Sequence, residues 1–450
     1  MWMAKSAIAA LMLMCAAAPA AQAEPIEIQW WHALTGVNAE MVNKVSDGFN
    51  KSQSDYKIVP VFKGGYADTM NAAIAAFRAG NQPDIVQIFE VGTATMMAAK
   101  GAVKPVYQLM ADAGEKFDPA AYLPAITGYY STLDGKMLSL PFNSSTAILY
   151  YNKYAFQKAG LDPAKPPKTW PELFDDAKKI RAAGYACGFT TSWLSWIQIE
   201  QFSAWHNLPL STKANGMEGA DTVLEFNNPT VARHIANLAK AEKDKTFDYG
   251  GRTTEPDQKF VSGECGMTLN SSGYYGLAKA GAKFPFGTAE LPYYPDAKGA
   301  PQNSIIGGAS LWVMAGKKPD EYKGVAKFFT YLSQTPIQAE FHKVTGYLPI
   351  TKAAYAALKE EGFYKDNPDR EIPIIQMTSK APTENSRGLR LGNLVQIRDV
   401  MAEELEAAFA GKEPAQQALD NAVKRGNAIL PRVRIAPSCI NWPAESERRL

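Results

Sequence analysis

Apolar positions along this chain switch between two periods. Residues 26–31 alternate apolar and polar as a half-buried strand does, and Met41, Val42, Val45 and Phe49 then recur on one helical face. Residues 56–62 read as a second strand. Met70, Ile74 and Phe77 mark a second helix stopping near Gly80, and residues 84–89 carry the β-rich composition of a third strand. This alternation predicts an α/β fold with parallel layering. Farther along, Thr169-Trp170-Pro171-Glu172 is a capping box, opening a helix with Leu173, Ala177 and Ile180 inward and Gly184 at its end. Short strands are expected over 187–191, 266–270 and 310–315, and helices over 395–409 and 414–429 precede a polar tail. No repeat with a period of about 20–50 residues stands out.

The start of the chain breaks this rhythm. Lys5 is followed by an apolar run over 7–18 and then Ala21-Gln22-Ala23, the order of a secretory signal with cleavage before Glu24. The run is shorter than the roughly 20 residues of a membrane span. Met14 stands where a lipid-attachment signal at Cys15 needs a small residue, so a free, exported mature chain is expected. Residues 24–450 exceed the roughly 250–300 at which one hydrophobic core stops growing, so two lobes are expected. With 47 basic and 45 acidic residues and no basic block, nothing favours a nucleic-acid partner, and an anionic ligand must be held by local geometry. Of four cysteines, Cys187, Cys265 and Cys439 survive cleavage, so at most one internal disulfide forms. Cys187 and Cys265 fall on two strands expected to be neighbours, where a bridge and two free thiols are both open readings.

Signatures of catalysis are missing. There is no GxSxG, no HExxH, no GxxxxGK[ST] and no GxGxxG opening a helix, and His32, His206, His234 and His342 show no metal-ligand spacing. No enzyme activity, metal or cofactor is expected. Two strand-to-loop corners remain: Asn143-Ser144-Ser145-Thr146 after residues 140–142, and Asn270-Ser271-Ser272-Gly273 after 266–269. Hydroxyls and amides at strand ends, with Gly273, Gly307 and Gly308 allowing close approach, suit an anion, although ordinary polar turns have the same composition. Trp193 and Trp196 share a face if that segment is helical, as core packing or as a platform for a small polyol. Arg398 reads either as a solvated helix residue or as a phosphate ligand.

Taken together, the segments YKIVP (56–60), AFRAGN (76–81), EVGTATMM (90–97), PFNSS (141–145), LYYNK (149–153), IIGGASLW (305–312), TGYLPITK (345–352) and GLRLGN (388–393) carry a resemblance. It covers nearly the whole chain after the signal, and the family is that of periplasmic glycerol-3-phosphate-binding subunits of Ugp-type ABC importers, within the extracellular solute-binding proteins. The resemblance implies a two-lobed periplasmic binding protein fold with hinge crossovers and a ligand cleft between the lobes. It implies capture of sn-glycerol-3-phosphate, or a glycerophosphodiester such as glycerophosphocholine, by a monomer that delivers it to a membrane permease with its cytoplasmic ATPase. Residue by residue, it places Tyr66 and Glu90 at the glycerol hydroxyls and Trp193 and Trp196 beside the glycerol backbone. Ser145, Ser271, Gly308, Tyr347 and Arg398 fall where the family holds the phosphate. A carboxylate accepts hydrogen bonds from polyol hydroxyls and repels phosphate, so Glu90 is expected at the end opposite Arg398.

Departures lie in flanking residues, such as Gly65 before Tyr66 and Leu194-Ser195 between the tryptophans, and in the tail beyond Arg434. They bear on fine specificity. The alternatives are a sugar-binding relative on the same fold or a secreted phosphodiesterase. The expected organisation is a signal peptide over 1–23, lobe one over 24–140 plus 309–347, lobe two over 141–308 plus 348–435, and a polar tail over 436–450. Residues 140–144, 303–308 and 345–351 are the expected crossings.

Overall fold

The computed structural model describes residues 24–219 and 221–430. The expected signal segment with Cys15, and the tail with Cys439, lie outside the described residues. Ten strands form two sheets: β1 (Ile26–His32), β2 (Tyr56–Phe62), β3 (Ile85–Phe89), β4 (Val103–Lys104), β5 (Leu140–Ser145), β6 (Ala147–Asn152), β7 (Cys187–Thr191), β8 (Cys265–Ser271), β9 (Phe286–Ala289) and β10 (Gly307–Met314). The first sheet runs β2-β1-β3-β10-β4, with β5 paired to β10, and the second runs β7-β8-β6-β9.

Local sequence accounts for most of these elements. The helix Gly36–Ser52 buries Met41, Val42, Val45 and Phe49, the 3.6-residue stripe that covers the sheet. The helix Tyr66–Ala79 stops at Gly80, whose φ of 71° is the left-handed cap a side chain resists. At Trp170–Ala182 the capping box closes both ways: Thr169 Oγ1 accepts the Glu172 N–H at 3.3 Å, and Glu172 Oε2 accepts the Thr169 N–H at 3.0 Å. Buried Ile28, Trp30, Val42, Phe49, Ile58, Val313 and Phe328 form one core with the first sheet, and Ile350, Leu358, Tyr364 and Ile374 join it.

Layering is not purely parallel. β1/β2, β1/β3 and β7/β8 pair parallel, whereas β10 is antiparallel to β3, β4 and β5, and β6 is antiparallel to β8 and β9. The cause is connectivity. β10 enters the first sheet from residues 303–306 rather than by a helical crossover from a neighbouring strand, so no βαβ unit dictates its direction. The two sheets nearly touch along the chain. β5 ends in the first sheet at Ser145 and β6 begins in the second at Ala147, with Thr146 alone between them. Thr146 Oγ1 hydrogen-bonds the Ile305 carbonyl and the Ser304 hydroxyl, each at 2.8 Å, and the Leu348 N–H donates to the Ser144 carbonyl at 2.8 Å. Residues 144–146, 304–305 and 348 therefore lie side by side. On the parallel pair β7/β8, Cys187 faces Cys265, and the two are joined in a disulfide with Cα atoms 4.6 Å apart.

Candidate functional site

Asn143, Ser144 and Ser145, expected at a turn, are the end of strand β5 and are fully enclosed. Pairing with β10 sets Ser144 opposite Gly308 and Ser145 opposite Gly307. Gly308 has φ +82°, and a Cβ there would drive into the Asn143 carbonyl oxygen, so the backbone requires glycine on two counts. A Cβ on Gly307 would meet the Trp196 indole, which packs against that strand. Across the second sheet Ala147 pairs with Ser271. There Ser271 Oγ accepts the Gly273 N–H at 3.1 Å, and the Tyr347 ring occupies the space a Gly273 side chain would need.

A polar relay aims the first-sheet side. Gln87 Oε1 accepts the Ala33 N–H at 2.7 Å and Gln87 Nε2 donates to Asn143 Oδ1 at 2.7 Å, leaving Asn143 Nδ2 to donate to the Tyr66 hydroxyl at 2.7 Å. The amide orientations follow from these partners. Tyr66 stands at the N-terminus of its helix, where Asp68 Oδ2 accepts the Gly65 N–H at 3.0 Å. Its ring stacks on Phe89 at 5.3 Å and lies 6.1 Å from that of Trp193. Burial, with the Tyr347 hydroxyl beside it, pushes the Tyr66 hydroxyl well above the ordinary tyrosine range. On the second-sheet side, Ser271 N–H donates to Asn270 Oδ1 at 2.7 Å, and Asn270 Nδ2 donates to Asp257 Oδ1 at 2.8 Å. Ser192 Oγ adds a bond to the same oxygen at 2.5 Å. Burial outweighs both bonds and pushes Asp257 up to about 6.

The centre of the site is an ion cluster. Arg398, on the helix Leu394–Phe409, donates Nε to Glu200 Oε1 at 2.6 Å, and Nη2 to Glu200 Oε2 at 2.7 Å and to Glu90 Oε1 at 2.6 Å. The side chains of Arg398, Glu90 and Glu200 are 12%, 6% and 0% exposed. The reading of Arg398 as a solvated helix residue is thereby overturned. So is the expectation that Glu90 and Arg398 stand at opposite ends of the site, since they share a hydrogen bond. The helix carrying Arg398 packs on the turn Glu90–Gly92, and a carboxylate buried there needs a partner within reach. Burial raises Glu90 above the usual carboxylate range, Arg398 works against that, and Glu200 adds to it. Burial also opposes the charge on Arg398, but the two carboxylates outweigh it and hold the guanidinium firmly protonated. Three of five guanidinium N–H donors are used, leaving the two on Nη1 without a partner among the described residues.

Glu200 is the residue sequence reasoning missed. It lies in the π-helical segment Trp196–Gln201, buried at every position although Gln198, Glu200 and Gln201 are polar. Local spacing carries no sign of its partner, 198 residues away. Trp193 and Trp196 do not share a regular helix: Trp193 has φ +51°, with its N–H held by the Thr253 carbonyl at 2.8 Å, and the π-helical segment starts only at Trp196. A left-handed tryptophan and a π-turn are both costly local states that concentrate at binding sites. Trp196 Nε1 and Ser144 Oγ are buried without a partner among the described residues. Contacts thus set Tyr66 beside Trp193 and Asn143, bring Ser145 and Gly308 together on the β5/β10 pair against Trp196, join Ser271 to Tyr347 through Gly273, and pair Glu90 with Arg398. The one group among the described residues spaced to hold a metal, Cys187, Asp248 and Cys265, has its two sulfurs committed to the disulfide.

Comparison with known proteins decides the family. Residues 44–372 match the family described as bacterial extracellular solute-binding protein. The chain belongs to that family. It is 56% identical over 90% of its length, and 93% of the relative's, to a Brucella abortus protein named sn-glycerol-3-phosphate-binding periplasmic protein UgpB. A protein of the same name from Pectobacterium atrosepticum is 53% identical over 95% of each chain. Among solved structures, UgpB from Mycobacterium tuberculosis in complex with glycerophosphocholine superposes with a TM-score of 0.76 at 21% identity, covering 90% of this chain and 98% of that one. That likeness is one of fold, and it establishes the two-lobed periplasmic binding architecture. As a family the extracellular solute-binding proteins capture ligands for importers, and among the described residues no helix is long and apolar enough to cross a membrane.

Proposed function

We propose that this protein is the periplasmic solute-binding subunit of an ABC importer, capturing sn-glycerol-3-phosphate and glycerophosphodiesters such as glycerophosphocholine and passing them unchanged to a permease and its ATPase. It acts as an exported monomer freed of residues 1–23. The observation that carries the reading is the convergence of one buried guanidinium, Arg398, with serine hydroxyls, glycine backbone and aromatic faces, in a chain whose relatives bear the glycerol-3-phosphate-binding name.

The phosphate takes hydrogen bonds from Ser145, Ser271, Tyr347, the Gly308 backbone and the Nη1 edge of Arg398, the edge its two carboxylates leave open. The glycerol hydroxyls donate to Glu90 beside Tyr66, and the carbon backbone packs on Trp193 and Trp196. Lobe one comprises residues 24–140 and 309–347 and lobe two residues 141–308 and 348–435, with one adjustment. The helices Lys352–Glu360 and Phe363–Asp366 are grouped with lobe one, because Leu358 and Tyr364 share its core. The crossings at 140–144, 303–308 and 345–351 form the hinge, the first extended to Thr146 where β5 gives way to β6. Calorimetric titration of the purified mature protein with both ligands tests the reading. Saturable binding of either, with the ligand recovered intact in the presence and absence of divalent metal, is expected. No binding of either, or turnover of glycerophosphocholine, overturns it.

A further inference from the structure

The ion cluster has more negative than positive charge. Arg398 is shared between two carboxylates, and none of the three side chains is more than 12% exposed, so solvent screens little of the imbalance. Burial first, and the Glu90 charge after it, push the hydroxyls of Tyr66, Tyr129 and Tyr130 well above the ordinary tyrosine range, so all three are neutral. Among the described residues Arg398 is the one cation paired with Glu90. Asp257, pushed up to about 6, adds a further negative charge on the second-sheet side above that pH. A phosphate monoester brings about −1.5 to −2 near neutrality. Placing that beside a net-negative cluster is unfavourable unless a carboxylate gives up its charge.

Resting on the ligand reading above, we propose that Glu200 sets the charge of this site. By occupying the Nε edge of Arg398, it leaves the cluster with Glu90 net negative. A dianionic phosphate monoester is therefore captured together with a proton, whereas a phosphodiester that brings its own cation is captured without one. The proton comes from buffer to an oxygen of Glu90, which then donates an O–H in place of accepting from Arg398. Glu90 is the recipient because it is the outer carboxylate, with one bond from the guanidinium where Glu200 has two. Glu200 touches no ligand in this scheme; it is a positioning and specificity residue acting through Arg398.

Titrations of sn-glycerol-3-phosphate and glycerophosphocholine at pH 7.0 and 8.5 test this, since the monoester is already largely dianionic over that range (its second pKa is about 6). Uptake of one proton weakens binding by up to about tenfold per pH unit. The monoester should weaken at least about threefold per unit and the choline diester less than about twofold. Glu200→Gln should flatten the monoester profile and shift the ratio of the two dissociation constants toward the monoester by about threefold or more. A merely structural Glu200 would weaken both ligands alike and leave the slope unchanged, which overturns the proposal. So does a flat monoester profile in the parent with tight binding. Binding of neither ligand overturns the ligand reading and this inference with it. If Glu200→Gln does not fold, proton counts for the parent in buffers of different ionisation enthalpy decide: near one for the monoester and near zero for the diester supports the proposal, and equal counts refute it.

Discussion

Replacing Arg398 by alanine removes the one cation among the described residues that pairs with two carboxylates, both less than a tenth exposed, together with three charged hydrogen bonds. Breaking a buried pair by deleting one partner costs roughly 3–5 kcal/mol. With an unfolding entropy of about 2.1 cal/mol/K per residue over some 400 residues, that lowers Tm by about 4–6 °C. The penalty depends on pH with a definite sign. Burial already raises Glu90 above the usual carboxylate range, and losing the guanidinium that works against this raises it further, so the folded state binds more protons and stability falls as pH rises from the unfolded value of about 4.3 through the folded one. Glu90 contributes up to about 1.4 kcal/mol per pH unit in that window. The variant should thus lie closest to the parent near pH 5 and farthest from it near pH 8. Affinity for glycerol-3-phosphate should fall by roughly two to three and a half decades, the same free energy at about 1.4 kcal/mol per decade. Thermal unfolding at pH 5 and 8, with calorimetry on the folded variant, measures both. A Tm loss below 1 °C, or one identical at the two pH values, would show that the carboxylates do not depend on Arg398. A dissociation constant within threefold of the parent's would mean that the phosphate is held elsewhere.

Trp196→Ala should weaken glycerol-3-phosphate less than Arg398→Ala, by about a decade (1.4 kcal/mol), because it removes a packed face against Gly307 and strands no charge; calorimetry reads the difference. Gly308→Ala should cost more than Gly80→Ala: both sit at positive φ, worth about 1–2 kcal/mol for a side chain, but only at Gly308 does the new methyl meet the Asn143 carbonyl. Denaturant unfolding of the pair isolates that clash, and equal losses would show that β5 yields freely. Cys187→Ala/Cys265→Ala opens a covalent loop spanning 78 residues of sequence. Its closure restricts the unfolded chain by about 4.5 kcal/mol, so Tm should fall by about 5 °C, and reduction of the parent should give a similar loss.

Local periodicity determined much of this molecule. The stripe Met41, Val42, Val45, Phe49 gives a helix because those positions share one face whatever lies opposite. The box at Thr169 and Glu172 caps its helix through contacts three residues apart. Nearly continuous likeness to a family brought Tyr66, Glu90, Ser145, Trp193, Trp196, Ser271, Gly308, Tyr347 and Arg398 into view without geometry. Tertiary structure decided what those residues touch. Asn143 to Ser145 look like a turn by composition and become a strand because β10, more than 160 residues later, offers a partner with glycines at the close approach. The antiparallel entry of β10 and the left-handed Trp193 likewise arise from remote neighbours. Glu200 passes for one polar residue in a buried segment until folding sets it on Arg398, 198 residues away, with Glu90 at 308 on the other side. A desolvated charge demands a partner but does not say where along the chain that partner lies, and only the packing of the helix Leu394–Phe409 against both segments supplies the answer.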